Sequence, residues 1–182
     1  MRLARTLLLL LLAVDPAVAQ EGQFLSEAEA PKAVFPDADA IVRTDIEVTP
    51  ALREKVSERL TGVHVSVWES HWIVFRAERA AALLGHAVVV EEIGKHRPIT
   101  FVVGLRPDGR VADVAVMAYR EAYGGEIRSA RFLAQYHDKR PEDAVRPYHD
   151  IRNVAGATLS VEAASRAVKK AQALAAALGL TT

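Results

Sequence analysis

Short runs of β-branched and apolar residues, joined by brief connections, constrain this chain more than any other feature. Val63, Val65 and Val67 alternate with His64, Ser66 and Trp68, the period of two of a half-buried strand. Residues 72–75, 87–90, 99–103 and 111–117, rich in β-branched and apolar residues, are further strand candidates. Between the last two lies Arg106-Pro107-Asp108-Gly109, where proline presets φ and glycine accepts a positive one, so a tight turn is expected. Consecutive strands with short connections predict an antiparallel meander.

Helical patterns flank these runs. Residues 20–48, interrupted by Pro31 and Pro36, predict an extended or weakly helical lead-in that packs on the domain. Thr49-Pro50 is a helix start, N-cap followed by proline at the first turn, and the helix should run to about Leu60 and end at Gly62. Ile127, Ala130, Leu133 and Ala134 recur at helical spacing and predict a helix over 126–136, followed by a loop over 141–147. Val161, Ala164, Val168, Ala171, Leu174 and Leu178 form one apolar stripe, with Arg166, Lys169 and Lys170 off that face. Ser160 is the expected N-cap of this last helix and Gly179 its end. The fold class is therefore α+β: an antiparallel sheet of four to five strands flanked by helices.

The first residues read as an export signal. Arg2 and Arg5 precede a leucine-rich run, and Ala17-Val18-Ala19 is an A-x-A cleavage site. The run is far shorter than the roughly 20 residues of a membrane helix, so the mature form is not expected to span a membrane. The expected organisation is a signal peptide over 1–19, an N-terminal extension with one helix over 20–62, and a main domain over 63–182. The 182 residues carry 23 basic and 23 acidic side chains. That balance gives no electrostatic footprint for nucleic acid. Cysteine is absent, which excludes disulfides, a lipoprotein anchor, thiolate metal sites, c-type haem and iron–sulfur clusters.

Three regions could carry chemistry. Ala155-Gly156-Ala157-Thr158-Leu159-Ser160 precedes the last helix. Bare N–H groups and the positive end of a helix dipole suit a phosphate there, and a tight packing loop would have the same composition. Tyr119-Arg120-Glu121-Ala122-Tyr123-Gly124-Gly125-Glu126 follows the last strand. Aromatic rings beside bare backbone suit a planar ligand, and a glycine-rich turn with solvated charges is the other reading. His64, His71, His86, His96, His137 and His149 are scattered, and none pairs at i, i+4 beside an acid. No metal site and no catalytic residue is assigned from them.

Taken in order, these pieces resemble the FMN-binding domain family. The family pattern runs acid, two free positions, serine or threonine, glycine, alanine, then threonine or serine. Gly156-Ala157-Thr158 matches its end, and Ala155 and Arg152 stand where the pattern has the hydroxyl and the acid, with Asp150 two residues before Arg152. Small exported members are similar at Gly94 to Phe101 (Gly-Lys-His-x-Pro-Ile-Thr-Phe), at Asp108-Gly109, at Tyr119-Arg120-Glu121 and at Gly125-Glu126-Ile127. The likeness covers about residues 71–178.

The resemblance implies FMN as cofactor, attached through its phosphate to Thr158 by a flavin transferase. It implies backbone or hydroxyl contacts from Ala155, Gly156, Ala157, Leu159 and Ser160, with the last helix aiming its N-terminus at the phosphate. Tyr119, Glu121, Tyr123, Gly124, Gly125 and Glu126 would line the flavin ring. With the signal, it implies a periplasmic electron carrier, not an enzyme with its own substrate, exchanging electrons with a membrane or periplasmic redox protein. The alternative is a flavin-free periplasmic interaction or sensor module.

Overall fold

The computed structural model describes residues 22–60, 63, 65–67 and 69–181. The expected signal segment, together with Gly62, His64 and Trp68, lies outside the described residues. Five strands form one antiparallel sheet in sequence order: β1 (Ala40–Glu47), β2 (His71–Arg79), β3 (Ala82–Ile93), β4 (Pro98–Leu105) and β5 (Val111–Tyr119). Four helices accompany it: α1 (Ala30–Val34), α2 (Pro50–Ser57), α3 (Ala130–Leu133) and α4 (Thr158–Ala177). The expected α+β meander is present.

Alternation along the strands divides the core between two faces. Val74, Val88, Val90, Phe101, Val103 and Val114 point to one face, where α4 lies. Phe75, Ala87, Val102 and Met117 point to the other, which Val34 and Phe35 at the end of α1 cover. Residues 22–25 run along the free edge of β5, with Phe24 N–H donating to the Met117 carbonyl. The opposite edge is β1, whose exposed Arg43, Asp45 and Glu47 make it a poor template for further pairing.

Several sequence expectations change. Residues 40–47, read as lead-in, are a strand paired along its whole length with β2, because the partner strand supplies hydrogen bonds that its polar sequence does not advertise. Helix α2 starts as expected, with Thr49 Oγ1 accepting from Leu52 N–H. The valine alternation at 63–67 does not make a strand. Val63 and Val65 are buried and Val67 is exposed, yet the backbone of this segment bonds to side chains: Arg53 donates to the carbonyls of Ser66 and Glu69, and Glu69 accepts from Ser66 N–H. The expected helix over 126–136 is broken into a 3-10 turn at Gly125–Arg128, α3, and a second 3-10 turn at Ala134–Tyr136. The break falls at Ser129, whose backbone is extended and whose hydroxyl caps α3 by accepting from Phe132 N–H.

Helix α4 departs furthest from its sequence pattern. It is not a one-faced surface helix. It packs on β3 and β4 on one side and on α2 on another, and 14 of its 20 residues are buried. Lys170, expected off the apolar face, is 1 % exposed. Its Nζ lies 2.9 Å from Glu69 Oε1, 2.5 Å from Glu92 Oε1 and 3.0 Å from the Glu91 carbonyl. Arg166 Nε takes the other oxygen of Glu92 at 2.9 Å. Lys169 donates to the carbonyls of Pro141 and Asp143, and Gln172 to those of Gly109 and Lys139. The helix ends as expected: Gly179 adopts φ +70°, and the N–H groups of Gly179 and Leu180 close on Ala176 and Ala175.

Replacing Lys170 with Met leaves Glu69 and Glu92 without their shared cation. The expected loss is about 3–5 kcal/mol, measured as a lower urea midpoint, and adding Glu92→Gln should recover part of it. A single variant as stable as the parent would show that the ion cluster does not hold α4 in place.

Candidate functional site

Helix α4 begins on a bare end. Its N-cap is Ala157, which has no side-chain oxygen to offer the first turn. The opening N–H groups of a helix have no intrahelical partner, so those of Thr158, Leu159 and Ser160 face whatever lies in front. The preceding turn depends on Gly156, which sits at φ +81° with open space around it. Ser160, expected as N-cap, is instead the third helical residue and is buried.

Ser160 meets the exit of β5. The Tyr119 hydroxyl lies 2.9 Å from Ser160 Oγ and donates to the Tyr123 carbonyl. Burial pushes the Tyr119 phenol up from its ordinary pKa; the bond to Ser160 works against this, and the charges of Glu121 and Glu126 add to it. The phenol thus stays protonated and able to donate. Gly124 fits in the angle between these groups at φ +89°. A Cβ there would come within 2.6 Å of Ser160 Oγ and 2.8 Å of Tyr119 Oη.

Glu121 joins a third segment. Its Oε1 accepts from the N–H groups of His96 and Arg97, in the turn between β3 and β4. Burial opposes ionisation, but the N–H groups of His96, Arg97 and Lys95 outweigh it and lower the pKa. This carboxylate is therefore spent on the 94–97 turn. The stretches 94–101 and 119–127, separate in sequence, form one clasp.

The result is two adjoining clefts. The first, about 500 Å³, lies between the start of α4 (Gly156 to Ser160) and a wall of Lys95, His96, Glu121 and Tyr123. The second, about 530 Å³, is lined by Tyr123 to Glu126, Arg128, Ala155 and Gly156. Both volumes suit a small-molecule site. Tyr123 stands between them, 86 % exposed. Of the residues expected at the site, Tyr119 alone lines neither cleft and acts from beneath. A further hollow of about 440 Å³, with Leu25, Ile73, Val89 and Met117 among its lining residues, is on the opposite sheet face.

Five polar side chains were missed as site groups from the sequence, among them Arg128, which lines the second cleft one residue past the 125–127 match. Lys95 and His96 carried a signal, since they lie within the 94–101 match. Asn153 and Tyr148 carried none: Asn153 Nδ2 donates to Thr158 Oγ1 at 2.9 Å and to Tyr148 Oη at 2.5 Å. Asp150, the nearest acid to the vacant motif position, is committed elsewhere. It accepts from the N–H groups of Val145 and Arg146 and pairs with Lys139. Burial works against its charge, but the Arg146 N–H, the Lys139 ammonium and the Val145 N–H hold the carboxyl at about 2. Arg152 is exposed, and its N–H donates to Gln135 Oε1. Among the described residues no group of three or more His, Asp or Glu side chains is placed to hold a metal ion.

Residues 94–173 match the family model of the FMN-binding domain. The matched span opens at the clasped turn and closes inside α4, so it contains every residue that lines the two clefts. No curated protein matches the chain.

Two sets of variants test this geometry. Gly124→Ala should cost about 2 kcal/mol or more, because both backbone and space forbid it. Gly156→Ala should cost about 1 kcal/mol, for backbone alone; thermal unfolding ranks the two, and equal losses would contradict the clasp. Asp150 gives a pH signature. Its folded pKa is depressed below the unfolded value near 3.9, so its stabilisation is complete above about pH 4 and is lost as pH falls toward 2. Asp150→Asn should unfold about 1–2 kcal/mol more easily at pH 7 and converge with the parent near pH 2.

Proposed function

Because residues 94–173 match the FMN-binding domain family, we propose that this protein is an exported flavin carrier that transfers electrons. In this reading FMN is esterified through its phosphate to Thr158. The observation that carries it is the position of Thr158: first residue of an uncapped 20-residue helix, and a lining residue of a cleft of about 500 Å³. Unpaired N–H groups and the helix dipole favour a dianion at that point. Lys95 on the facing wall adds positive charge. The exposed ring of Tyr123 offers a stacking surface for the flavin where the two clefts meet.

The chemistry FMN supplies when bound is reversible electron uptake, and the protein's part is to hold it and tune its surroundings. Near the site those surroundings include Glu126 and Arg128 in the second cleft and the protonated Tyr119 beneath it. Export rests on the N-terminal pattern of Arg2, Arg5, the leucine run and Ala17-Val18-Ala19. Among the described residues no helix is long and apolar enough to cross a membrane. The partners this reading requires are a flavin transferase for maturation and a membrane or periplasmic redox protein for electrons. A tether suits export, since a covalent bond prevents loss of cofactor where no FMN pool exists.

Co-expression with a flavin transferase should give a yellow protein, heavier by one FMN less one water, lacking residues 1–19. Thr158→Ala should show no such increase. A colourless protein of unchanged mass would instead favour a flavin-free interaction module, as Arg152, Ala155 and the occupied Asp150 would then suggest.

A further inference from the structure

We propose that the Asn153 amide, braced by Tyr148, is the positioning group that presents the Thr158 hydroxyl for esterification. This rests on the reading of Thr158 as the attachment point. Asn153 Nδ2 lies 2.9 Å from Thr158 Oγ1 and 2.5 Å from Tyr148 Oη, so one amide holds both hydroxyls. Its Oδ1 is buried and makes no hydrogen bond. Placement for stability alone does not account for an amide that leaves its carbonyl buried and unpaired.

The brace is held under strain. Tyr148 has φ +63° and Val145 φ +46°, two non-glycine residues in the left-handed region within four positions. Such backbone persists only where its surroundings enforce it. Here Asp150 accepts from Val145 and Arg146 N–H, Lys139 pairs with Asp150, and Tyr148 N–H donates to the Ile151 carbonyl. Burial of the ring does not repay the strain, since Tyr148 is 76 % exposed. What the loop geometry achieves is delivery of the phenol to Asn153.

For Thr158 the consequence is a fixed hydroxyl. A threonine in a helix splits between rotamers and can turn its oxygen back toward a carbonyl of the preceding turn. The Asn153 donor fixes Oγ1, and one lone pair and the hydroxyl proton remain for reaction. In the transfer, Thr158 Oγ forms the new bond to the flavin-side phosphorus of a flavin dinucleotide. The P–O–P bond breaks, a nucleoside monophosphate leaves, and the threonine proton passes to a base of the transferase. No electrons change hands. Arg152 and Ala155 place neither carboxylate nor hydroxyl at the two motif positions before Gly156, and Asn153 brings a polar group to Thr158 from between them.

The test is single-turnover FMN attachment by a flavin transferase with flavin adenine dinucleotide, followed by intact mass, for the parent, Asn153→Ala and Tyr148→Phe. At saturating transferase the rate constant should fall about tenfold for Asn153→Ala and about threefold for Tyr148→Phe, the scale of one lost hydrogen bond. The half-saturating transferase concentration, and the affinity for free FMN measured by flavin fluorescence, should stay within about twofold. Attachment of both variants at the parent rate would overturn the proposal. So would a fall confined to half-saturation or FMN affinity, which marks a folding or docking role. A parent that takes up no FMN overturns the attachment reading and this proposal together; a labelled parent with equally labelled variants overturns the role of Asn153 alone.

Discussion

One buried ammonium fixes where everything else on the α4 face stands. The helix contributes mostly alanines to the shared core, Ala163, Ala164, Ala167, Ala171 and Ala175, with Val161, Val168 and Leu174 among them, and small side chains specify register only weakly. Lys170 does not tolerate a slip in register. Its Nζ is shared by Glu69, Glu92 and the Glu91 carbonyl, while Arg166 takes the second oxygen of Glu92. Set against the desolvation of three charges, the net stabilisation from such a cluster is small; its effect is register. Register at 170 sets the position of 156–160, about 15–20 Å up the helix. Glu69 also receives the Trp72 Nε1–H and the Ser66 N–H, so the same cluster anchors the irregular segment before β2.

At the other end of the helix, position is set by hydrogen bonds instead of charge. Tyr119 joins Ser160 to the Tyr123 carbonyl, Gly124 leaves room for that junction, and Glu121 fastens the 94–97 turn. Ser160, Gly124 and Glu121 line the clefts, Tyr119 lies beneath them, and the bonds among these groups build the site. The groups left facing the clefts are the unpaired N–H groups of α4, Lys95, the Tyr123 ring, Glu126 and Arg128. That division, a rigid base below and a few polar and aromatic groups above, is the general make-up of a small-molecule site.

Much of the fold was legible because its signals are local. Short apolar, β-branched runs at 72–75, 87–90, 99–103 and 111–117 lie in strands, and Pro107 and Gly109 mark the turn between two of them. Thr49 and Gly179 bound their helices as their chemistry requires. The failures share a cause. The valines at 63–67 have the right period, yet the described residues there form no strand, and Arg53 and Glu69 bond the backbone of Ser66 among them. The 126–136 pattern has helical spacing, yet the Ser129 cap and the packing of Ile127, Phe132 and Tyr136 divide it. The pairing of β1 depends on a strand whose paired residues lie 24 to 38 positions away in sequence.

Beside the resemblance to the FMN-binding domain family, the sequence by itself determined the parts of the site: a small-residue turn ahead of a long helix and a glycine pair after a strand. These follow from residue type and spacing, which local sterics and hydrogen bonding decide. Only the tertiary structure decided their roles. It turned Ser160 from a cap into a partner of Tyr119 and Lys170 from a solvated charge into the anchor of α4, and it gave the cleft-lining Glu121 a second role as a clasp on the 94–97 turn. It also brought Asn153 and Tyr148 to Thr158. Each of those roles depends on which distant polar group arrives to satisfy a buried donor or acceptor, and only the packed sheet and helix bring such partners together.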